Sequence, residues 1–377
     1  IYGLRVPVIR VKDTIVALGE LARYNRERYA VPVIAVTGSN GKTTTKEMIA
    51  AALSADYNVL KNEGTKNNHI GLPLTLLKLD NSYDAAVVEL GTNHFGEIAY
   101  LSKIALPNIG VITNIGPSHL EGFKSLSGVL KEKWELICNL SAPRIAVLNA
   151  DDPHLRKKLL SMRKEAFCIG AGVCRKADFS AFSLKERNGR YSYEIRPRLR
   201  IALGVLGYYN IHNSLLALAV SRVLGVSYRN ILLGLSGFSL PRGRLSHIEV
   251  KGFKFIDDTY NSNPLSLSQA LSYFRQAGVR GRRIAVIGDM LELGKESVKY
   301  HTQAFKSALE FCDHVIAVGK ISNSSIRALK AHKGKLSGCG DASRAREILL
   351  NDLDLSSSDL VLVKGSRGMK MEQVFKI

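Results

Sequence analysis

The stretch Val31-Pro32-Val33-Ile34-Ala35-Val36-Thr37-Gly38-Ser39-Asn40-Gly41-Lys42-Thr43-Thr44-Thr45-Lys46 carries more structural information than any other part of this 377-residue chain. An apolar, β-branched run feeds a glycine turn, and Lys42-Thr43-Thr44 then opens a helical pattern that continues to Leu53. Strand, glycine loop and helix N-terminus, in that order, hold nucleotide phosphates. Backbone N–H groups of Gly38, Ser39, Asn40, Gly41 and the first helical turn point at the anion, and the helix dipole adds favourable partial charge. Lys42 is placed to meet the outer phosphates and the Thr43 hydroxyl to ligate Mg²⁺. The usual pattern, G-x-x-x-x-G-K-[ST], needs glycine where this chain has Val36, so the motif is the shorter T-G-x-x-G-K-T-T. An ordinary strand-to-helix turn is the competing reading; the strand and helix context weighs against it.

Outward from this loop, the chain is long enough for two or three domains, and an apolar content of 46% is ample for their cores. No apolar run approaches the roughly 20 residues of a membrane span, and no signal peptide is visible. Ile1 is not a start methionine, so a fragment is expected. The five cysteines (Cys138, Cys168, Cys174, Cys312, Cys339) form no C-x-x-C pair, which disfavours a disulfide framework or zinc site and fits a reducing cytoplasm. The net charge of +20 raises the question of a nucleic-acid partner. Its lysines and arginines are scattered without interleaved aromatics, so a field attracting anionic nucleotides explains it better and no specific nucleic acid is expected.

Three sections follow. Residues 1 to about 30 hold a strand-like piece, Val6 to Val11, and a helical stretch, Asp13 to Arg28, with Ile15, Leu18 and Leu21 on one face. From about 31 to 240, strands and helices alternate as in a mostly parallel α/β sheet, with strands expected at Val33–Thr37, Ala85–Leu90, Ile109–Asn114 and Arg144–Asn149. Asn188-Gly189 signals a β-hairpin within this section. From about 241 to 377 the alternation restarts as a second open sheet, with no G-x-G-x-x-G behind its strands.

Metal–phosphate chemistry needs a carboxylate at a strand end beside the loop, and Glu89, closing Ala86-Val87-Val88, supplies one. His119 follows the next strand, on the edge where α/β sheets bind ligands; it is either structural or a second metal ligand. Lys131 and Lys133 lie on the helix after it, and nothing local singles out either. Asn210 and Asn213 stand one turn apart near a helix start, able to cap it or to bind a base edge. Arg244 and the acidic, amide-rich run Asp257-Asp258-Thr259-Tyr260-Asn261-Ser262-Asn263-Pro264 open the second α/β section. Lys364-Gly365-Ser366-Arg367-Gly368 is a cationic, glycine-rich loop suited to a carboxylate or phosphate.

Taken in order, the loop and six further segments resemble the Mur ligases of peptidoglycan synthesis, over residues 13 to 377. The segments are Gly64–Gly71 (GTKNNHIG), Glu89–Ile98 (ELGTNHFGEI), Asn114–Phe123 (NIGPSHLEGF), Asp257–Pro264 (DDTYNSNP), Gly288–Gly294 (GDMLELG) and Val363–Glu372 (VKGSRGMKME). The resemblance implies a P-loop-type central domain (31–240), a Rossmann-like C-terminal domain (241–377) and, in 1–30, the exit segment of a largely missing UDP-binding domain. It implies an ATP-dependent amide ligation, cytoplasmic and monomeric, in which the carboxylate of UDP-MurNAc-tripeptide is phosphorylated and then attacked by D-Ala-D-Ala. By the same resemblance Lys42 contacts phosphates, while Thr43 and Glu89 bind one Mg²⁺. His119 and a carbamylated Lys133 bind a second. Asn210 and Asn213 face adenine, Arg244 the γ-phosphate and Asp258 the ribose. Asn67 and Asn68 meet the muramoyl substrate, and Lys364, Ser366 and Arg367 lie near the dipeptide. Two local departures stand out: Thr65 where the family usually has asparagine, and Tyr209 where histidine is common. Another ligase of the superfamily, such as folylpolyglutamate synthase or cyanophycin synthetase, is the alternative within enzymes; a non-catalytic ATP- or nucleic-acid-binding protein is the alternative outside them.

Overall fold

Strands that are apolar at every position need cover on both faces, and the first half of the chain supplies it. The computed structural model describes residues 8–162, 167–173, 177–327, 329 and 334–377. After α1 (Thr14–Glu27) come β1 (Val33–Thr37), α2 (Lys42–Leu53), β2 (Val59–Lys61), α3 (Gly71–Leu76), β3 (Ala85–Glu89) and α4 (Glu97–Ala105). Then follow β4 (Ile109–Ile112), α5 (Leu120–Phe123), α6 (Leu126–Cys138), β5 (Ile145–Asn149), α7 (Pro153–Met162), β6 (Phe167–Gly172) and β7 (Phe179–Ser180). The seven strands form one sheet in the order β2-β3-β1-β4-β5-β6-β7, every neighbouring pair parallel. Its direction of winding switches at β1 and β4, so the loops after these strands frame the crevice where such sheets take ligands.

The hairpin expected at Asn188-Gly189 is present. β8 (Phe182–Arg187) and β9 (Arg190–Ile195) join through these two residues, both at positive φ (52° and 75°), and β10 (Leu199–Leu206) completes an antiparallel ribbon. The ribbon's inner face (Tyr193, Ile195, Ile201, Leu203) packs with α2, α8 (Tyr209–Val223) and α9 (Tyr228–Ser236) against one side of the sheet. The opposite side is covered by α1, α3, α4 and α6.

On α1 the buried face is not the one the apolar spacing suggests. Ile15 and Leu21 are exposed, whereas Gly19, Ala22 and Arg26 are buried. A Cβ at Gly19 would meet Tyr100 Oη at 2.7 Å, so the helix packs tightly onto α4. Arg26 spends its donors on the carbonyls of Ala105, Tyr29 and Val31, tying the chain's entry to the sheet. Of the strand expected over Val6–Val11, residues 8–11 are irregular and solvent-exposed; the remainder lies outside the described residues.

The second sheet contains β11 (Ser246–Val250), β12 (Phe253–Asp258), β13 (Arg283–Gly288), β14 (His314–Val318), β15 (Leu336–Cys339) and β16 (Leu360–Lys364). Its order is β11-β12-β16-β13-β14-β15, parallel except for the β11 edge. On one side lie α10 (Pro264–Gln276), α11 (Ser297–Leu309) and α12 (Lys320–Ile326); on the other lies α13 (Ala342–Glu347). Asn263 caps α10 reciprocally with Ser266, and Pro264 stands at its first position, so the DDTYNSNP run ends where the helix must begin. Among the described residues, no helix is long and apolar enough to cross a membrane.

Candidate active site

The loop after β1 takes its shape from two glycines. Gly38 (φ +148°) and Gly41 (φ +78°) adopt backbone conformations that disfavour side chains. A Cβ would also strike Thr113 Oγ1 at 1.9 Å from Gly38 and Asn213 Oδ1 at 2.6 Å from Gly41. The loop is braced from the β4 side: Asn114 accepts from the Asn40 N–H (2.9 Å) and donates to its carbonyl (3.1 Å). The Ser39 hydroxyl is turned inward, donating to Gly116 O and accepting from Gly116 N, both at 2.9 Å. The Ser39 N–H is taken as well, donating to Asn114 O at 3.0 Å, so Ser39 as it stands offers an anion neither its hydroxyl nor its N–H.

Lys42 Nζ donates to Gly38 O at 2.9 Å, folding back over the loop. Desolvation lowers its pKa; Glu89 works against that shift and Arg244 adds to it. Beside it, Glu89 is 1% exposed yet carries two well-placed donors: Thr43 Oγ1 at 2.6 Å and Asn67 Nδ2 at 2.8 Å. Arg244 Nη2, leading into the second sheet, donates to the same Thr43 hydroxyl at 2.8 Å, and its guanidinium stacks 3.9 Å over the Tyr260 ring. Asn263 Nδ2 reaches Asn40 Oδ1 at 2.7 Å. The second lobe thus closes over the loop of the first.

Between the lobes lies a cavity of about 1040 Å³. Its walls include Ser39, Asn40, Gly41, Lys42, Thr43, Thr44, Asn67, Asn68, Glu89, His119, Asn213, Arg244, Asp258 and Lys364. Gly38, Asn210, Lys133, Ser366 and Arg367 are outside these walls.

Several of the named residues are occupied otherwise than their spacing suggests. The helix α8 begins at Tyr209, so Asn210 is fully buried inside it, donating to Leu206 O (2.7 Å) and accepting from Asn213 Nδ2 (2.8 Å). It holds Asn213 in place and presents nothing to the cavity. Asn67 orients Glu89, and Asn68, an exposed residue of the cavity wall, accepts from Gly71 N at 2.9 Å at the start of α3. Lys364 is the largest departure from expectation. It is 2% exposed, and its ammonium donates to Asp258 Oδ2 at 2.6 Å and Asn261 O at 2.9 Å, so its charge is already matched. Ser366 is buried and accepts from Leu291 N at 2.9 Å; Arg367 is exposed and paired with Glu372 at 3.2 Å.

The structure also separates Lys131 from Lys133, which the sequence leaves equal. Lys131 is exposed; Lys133 is 1% exposed, and burial first, then the nearby Lys42 charge, drives its pKa well below the usual lysine value. Among the described residues, no hydrogen bond or ion pair engages its amine. Its neighbour Glu132, equally buried, accepts from Gly96 N (2.7 Å), Ile98 N (2.8 Å) and Thr92 (3.1 Å), capping α4. His119, at φ +50°, begins α5 with Nδ1 2.5 Å from Glu292 Oε2 of the second lobe. The imidazole holds the Glu292 carboxyl below the usual carboxylate range.

Sequence reasoning passed over Glu292, Glu132, the Tyr260 stack and the His212–Asp151 contact (2.9 Å) at the cavity wall. Glu292 and Tyr260 sit inside quoted motifs, so position was available but not role. Glu132 and His212 carry no local signal, since their partners are 34 to 61 residues away.

The oxygen donors Thr43 and Glu89 suit a hard cation such as Mg²⁺ beside a phosphate-binding loop. His119 suits a second ion, and Lys133 does so only if its amine is converted to an anionic group. No group of three or more His, Cys, Asp or Glu side chains stands preassembled for a metal among the described residues.

Two family models match the chain: the Mur ligase middle domain over residues 36–221, and the Mur ligase glutamate ligase domain over residues 243–367. The UDP-N-acetylmuramoyl-tripeptide–D-alanyl-D-alanine ligase of Escherichia coli is 36% identical, over 98% of this chain and 82% of that protein. Its namesake in Bacillus subtilis is 33% identical, over 98% and 80%. A crystal structure of MurF from Acinetobacter baumannii superposes with a TM-score of 0.89 at 32% identity, covering 98% of this chain and 83% of that one. MurF from Thermotoga maritima, in complex with ADP, gives 0.85 at 28% identity, over 99% and 86%. A folylpolyglutamate synthase from Mycobacterium tuberculosis shares the fold alone, with a TM-score of 0.74 at 17% identity, over 94% and 92%. Likeness of this extent, through both lobes and across the loops that meet at the cavity, makes the protein a member of the Mur ligase family.

Proposed function

We propose that this chain is an ATP-dependent ligase that joins D-Ala-D-Ala to the terminal carboxylate of UDP-MurNAc-tripeptide through an acyl phosphate. One observation carries the reading: the phosphate loop, a buried carboxylate–hydroxyl pair and a second-lobe arginine converge on one cavity of about 1040 Å³.

The physical difficulty of the reaction is charge, because a carboxylate must attack a triphosphate. Lys42 exchanges loop carbonyls for phosphate oxygens, and loop N–H groups take the others. Arg244, held flat by Tyr260, brings a fixed cation to the γ-phosphate as the lobes close, so stabilisation is preorganised where charge develops. Asn213 faces the base, with Asn210 behind it, and Asp258 the ribose; Asn68 faces the muramoyl peptide. Thr43 and Glu89 would hold one Mg²⁺, and His119 with a carbamylated Lys133 a second; when bound, the ions neutralise phosphate charge as Lewis acids. Burial first, and then the Lys42 charge, favour the neutral amine of Lys133 that carbamylation requires, outweighing the pull of Glu132 and Glu89. That amine adds to the carbon of CO₂, forming an N–C bond and releasing one proton.

The test is phosphate release from ATP with UDP-MurNAc-tripeptide and D-Ala-D-Ala. Turnover is expected only when all three are present. Turnover with a folate and glutamate instead, and none with the muramoyl peptide, would overturn the reading. For Lys133, loss of turnover in Lys133→Ala with partial rescue by bicarbonate or short carboxylic acids is expected. Unrescued loss counts against the carbamate.

A further inference from the structure

The loop after β13, Gly288-Asp289-Met290-Leu291-Glu292-Leu293-Gly294, has no part in the reaction as described, yet it is fixed more firmly than a connecting loop requires. Its members are pinned one after another. Asp289 Oδ1 accepts from Ser322 N at 2.7 Å and its Oδ2 from Ile321 N at 3.2 Å, at the start of α12. Met290 N donates to the buried His301 Nε2 at 2.8 Å, and the other nitrogen of that ring faces Ser297 O at 2.7 Å. Leu291 N donates to Ser366 Oγ at 2.9 Å. After these three anchors Glu292 takes a left-handed backbone, φ +67°, uncommon for a side chain of its size.

The conformation serves a contact across the lobes. Glu292 O accepts from Glu121 N at 3.1 Å, and Glu292 Oε2 lies 2.5 Å from His119 Nδ1, with the carboxylate off the axis of an ideal hydrogen bond. Leu293 is buried in the second lobe's core, and Leu120 packs against the cores of both lobes, so the docked loops share apolar cover. A carboxylate on one ring nitrogen of histidine fixes its tautomer and orientation and raises the basicity of the other nitrogen, the arrangement found behind metal-ligating histidines. Here the histidine and its carboxylate come from different lobes.

We propose that Glu292 is a positioning residue that couples closure of the second lobe to the readiness of His119, holding Nδ1 so that Nε2 is left to ligate. This rests on the reading of His119 as a metal ligand. Open lobes separate the carboxylate from the ring; closed lobes restore it, so the second ion is held firmly only when both lobes surround the substrates.

The experiment is Mn²⁺ binding, by electron paramagnetic resonance, to the full chain with a non-hydrolysable ATP analogue, paired with an intramolecular fluorescence distance between the lobes. Glu292→Ala is expected to weaken one of two Mn²⁺ ions by about 10- to 100-fold. It should leave the other ion unchanged and reduce the closed fraction. Glu292→Asp should restore part of both, and kcat should fall with KM for ATP nearly constant. Combined with His119→Ala, the Glu292→Ala loss should vanish rather than add. If His119→Ala still binds both ions, the metal reading of His119 fails. If His119→Ala loses one ion while Glu292→Ala binds both with wild-type affinity and closes normally, the proposal alone fails.

Discussion

Both sheets carry a lysine beside a glycine at the carboxyl end of a central parallel strand, and the two lysines have opposite fates. Lys42, after β1, enters no ion pair among the described residues and leans on loop carbonyls at the cavity. Lys364, ending β16, is sealed and matched by Asp258 at 2.6 Å. A cation attracts an anionic substrate only where its own protein has not already neutralised it. Glu89 acts on Lys42 through its field, but its oxygens are engaged by Thr43 and Asn67 and form no ion pair with the ammonium. On the function proposed above, the first lobe gathers the phosphates, while the second contributes Arg244 and keeps its lysine paired within the fold.

The comparison can be broken most directly at Lys42. Lys42→Ala should lower ATP-dependent turnover by about 10³-fold while shifting the melting temperature little, since the amine's protein partners are loop carbonyls. A variant within tenfold of wild type in phosphate release would remove Lys42 from the mechanism. Lys364→Ala should show the reverse pattern. It leaves Asp258 charged and mostly buried without its partner, so urea unfolding should show a loss of about 3 kcal/mol, with KM for ATP changed less. Unchanged stability with loss of D-Ala-D-Ala-dependent turnover would return Lys364 to the substrate and end the contrast.

The smallest expected effect sharpens the view of the second lobe as a scaffold. Burial lowers the pKa of His301, outweighing the opposing pull of Ser297 O and Asp289. The unfolded chain takes up this proton near pH 6.5, the native state only at lower pH, so the unfolded state binds more protons as pH falls. The contribution of His301 is thus fully present above about pH 6.5 and is lost below it. His247 and His314 are shifted the same way, also by burial. Denaturation measured from pH 7 to 5 should show falling stability, and His301→Gln should flatten part of that slope. An unchanged slope would mean that the Met290 anchor does not depend on a neutral ring.

How much was legible follows from how far apart the partners lie. The strands β1, β3, β4 and β5, the hairpin at Asn188-Gly189 and α10 were readable because apolar runs, turn residues and caps act over a few positions. The buried face of α1 was misread because a glycine and an arginine pack there: Gly19 lets α4 approach, and Arg26 satisfies three carbonyls. Ser39, Asn210 and Lys364 belong to groups whose polar atoms were claimed by neighbours that no spacing rule reveals.

By itself the sequence determined that a phosphate loop exists between Thr37 and Thr43, that Val36 belongs to a shortened form of it, and that two α/β sheets follow one another. These rest on backbone geometry and short-range periodicity, which neighbouring residues dictate. Only the tertiary structure decided which charges remain unmatched. It buried Lys133 and left Lys131 in water, closed Arg244 onto Thr43 across 201 positions, and set Glu292 against His119. Electrostatic roles depend on desolvation and on partners brought together by folding, and neither is written in the local order of residues.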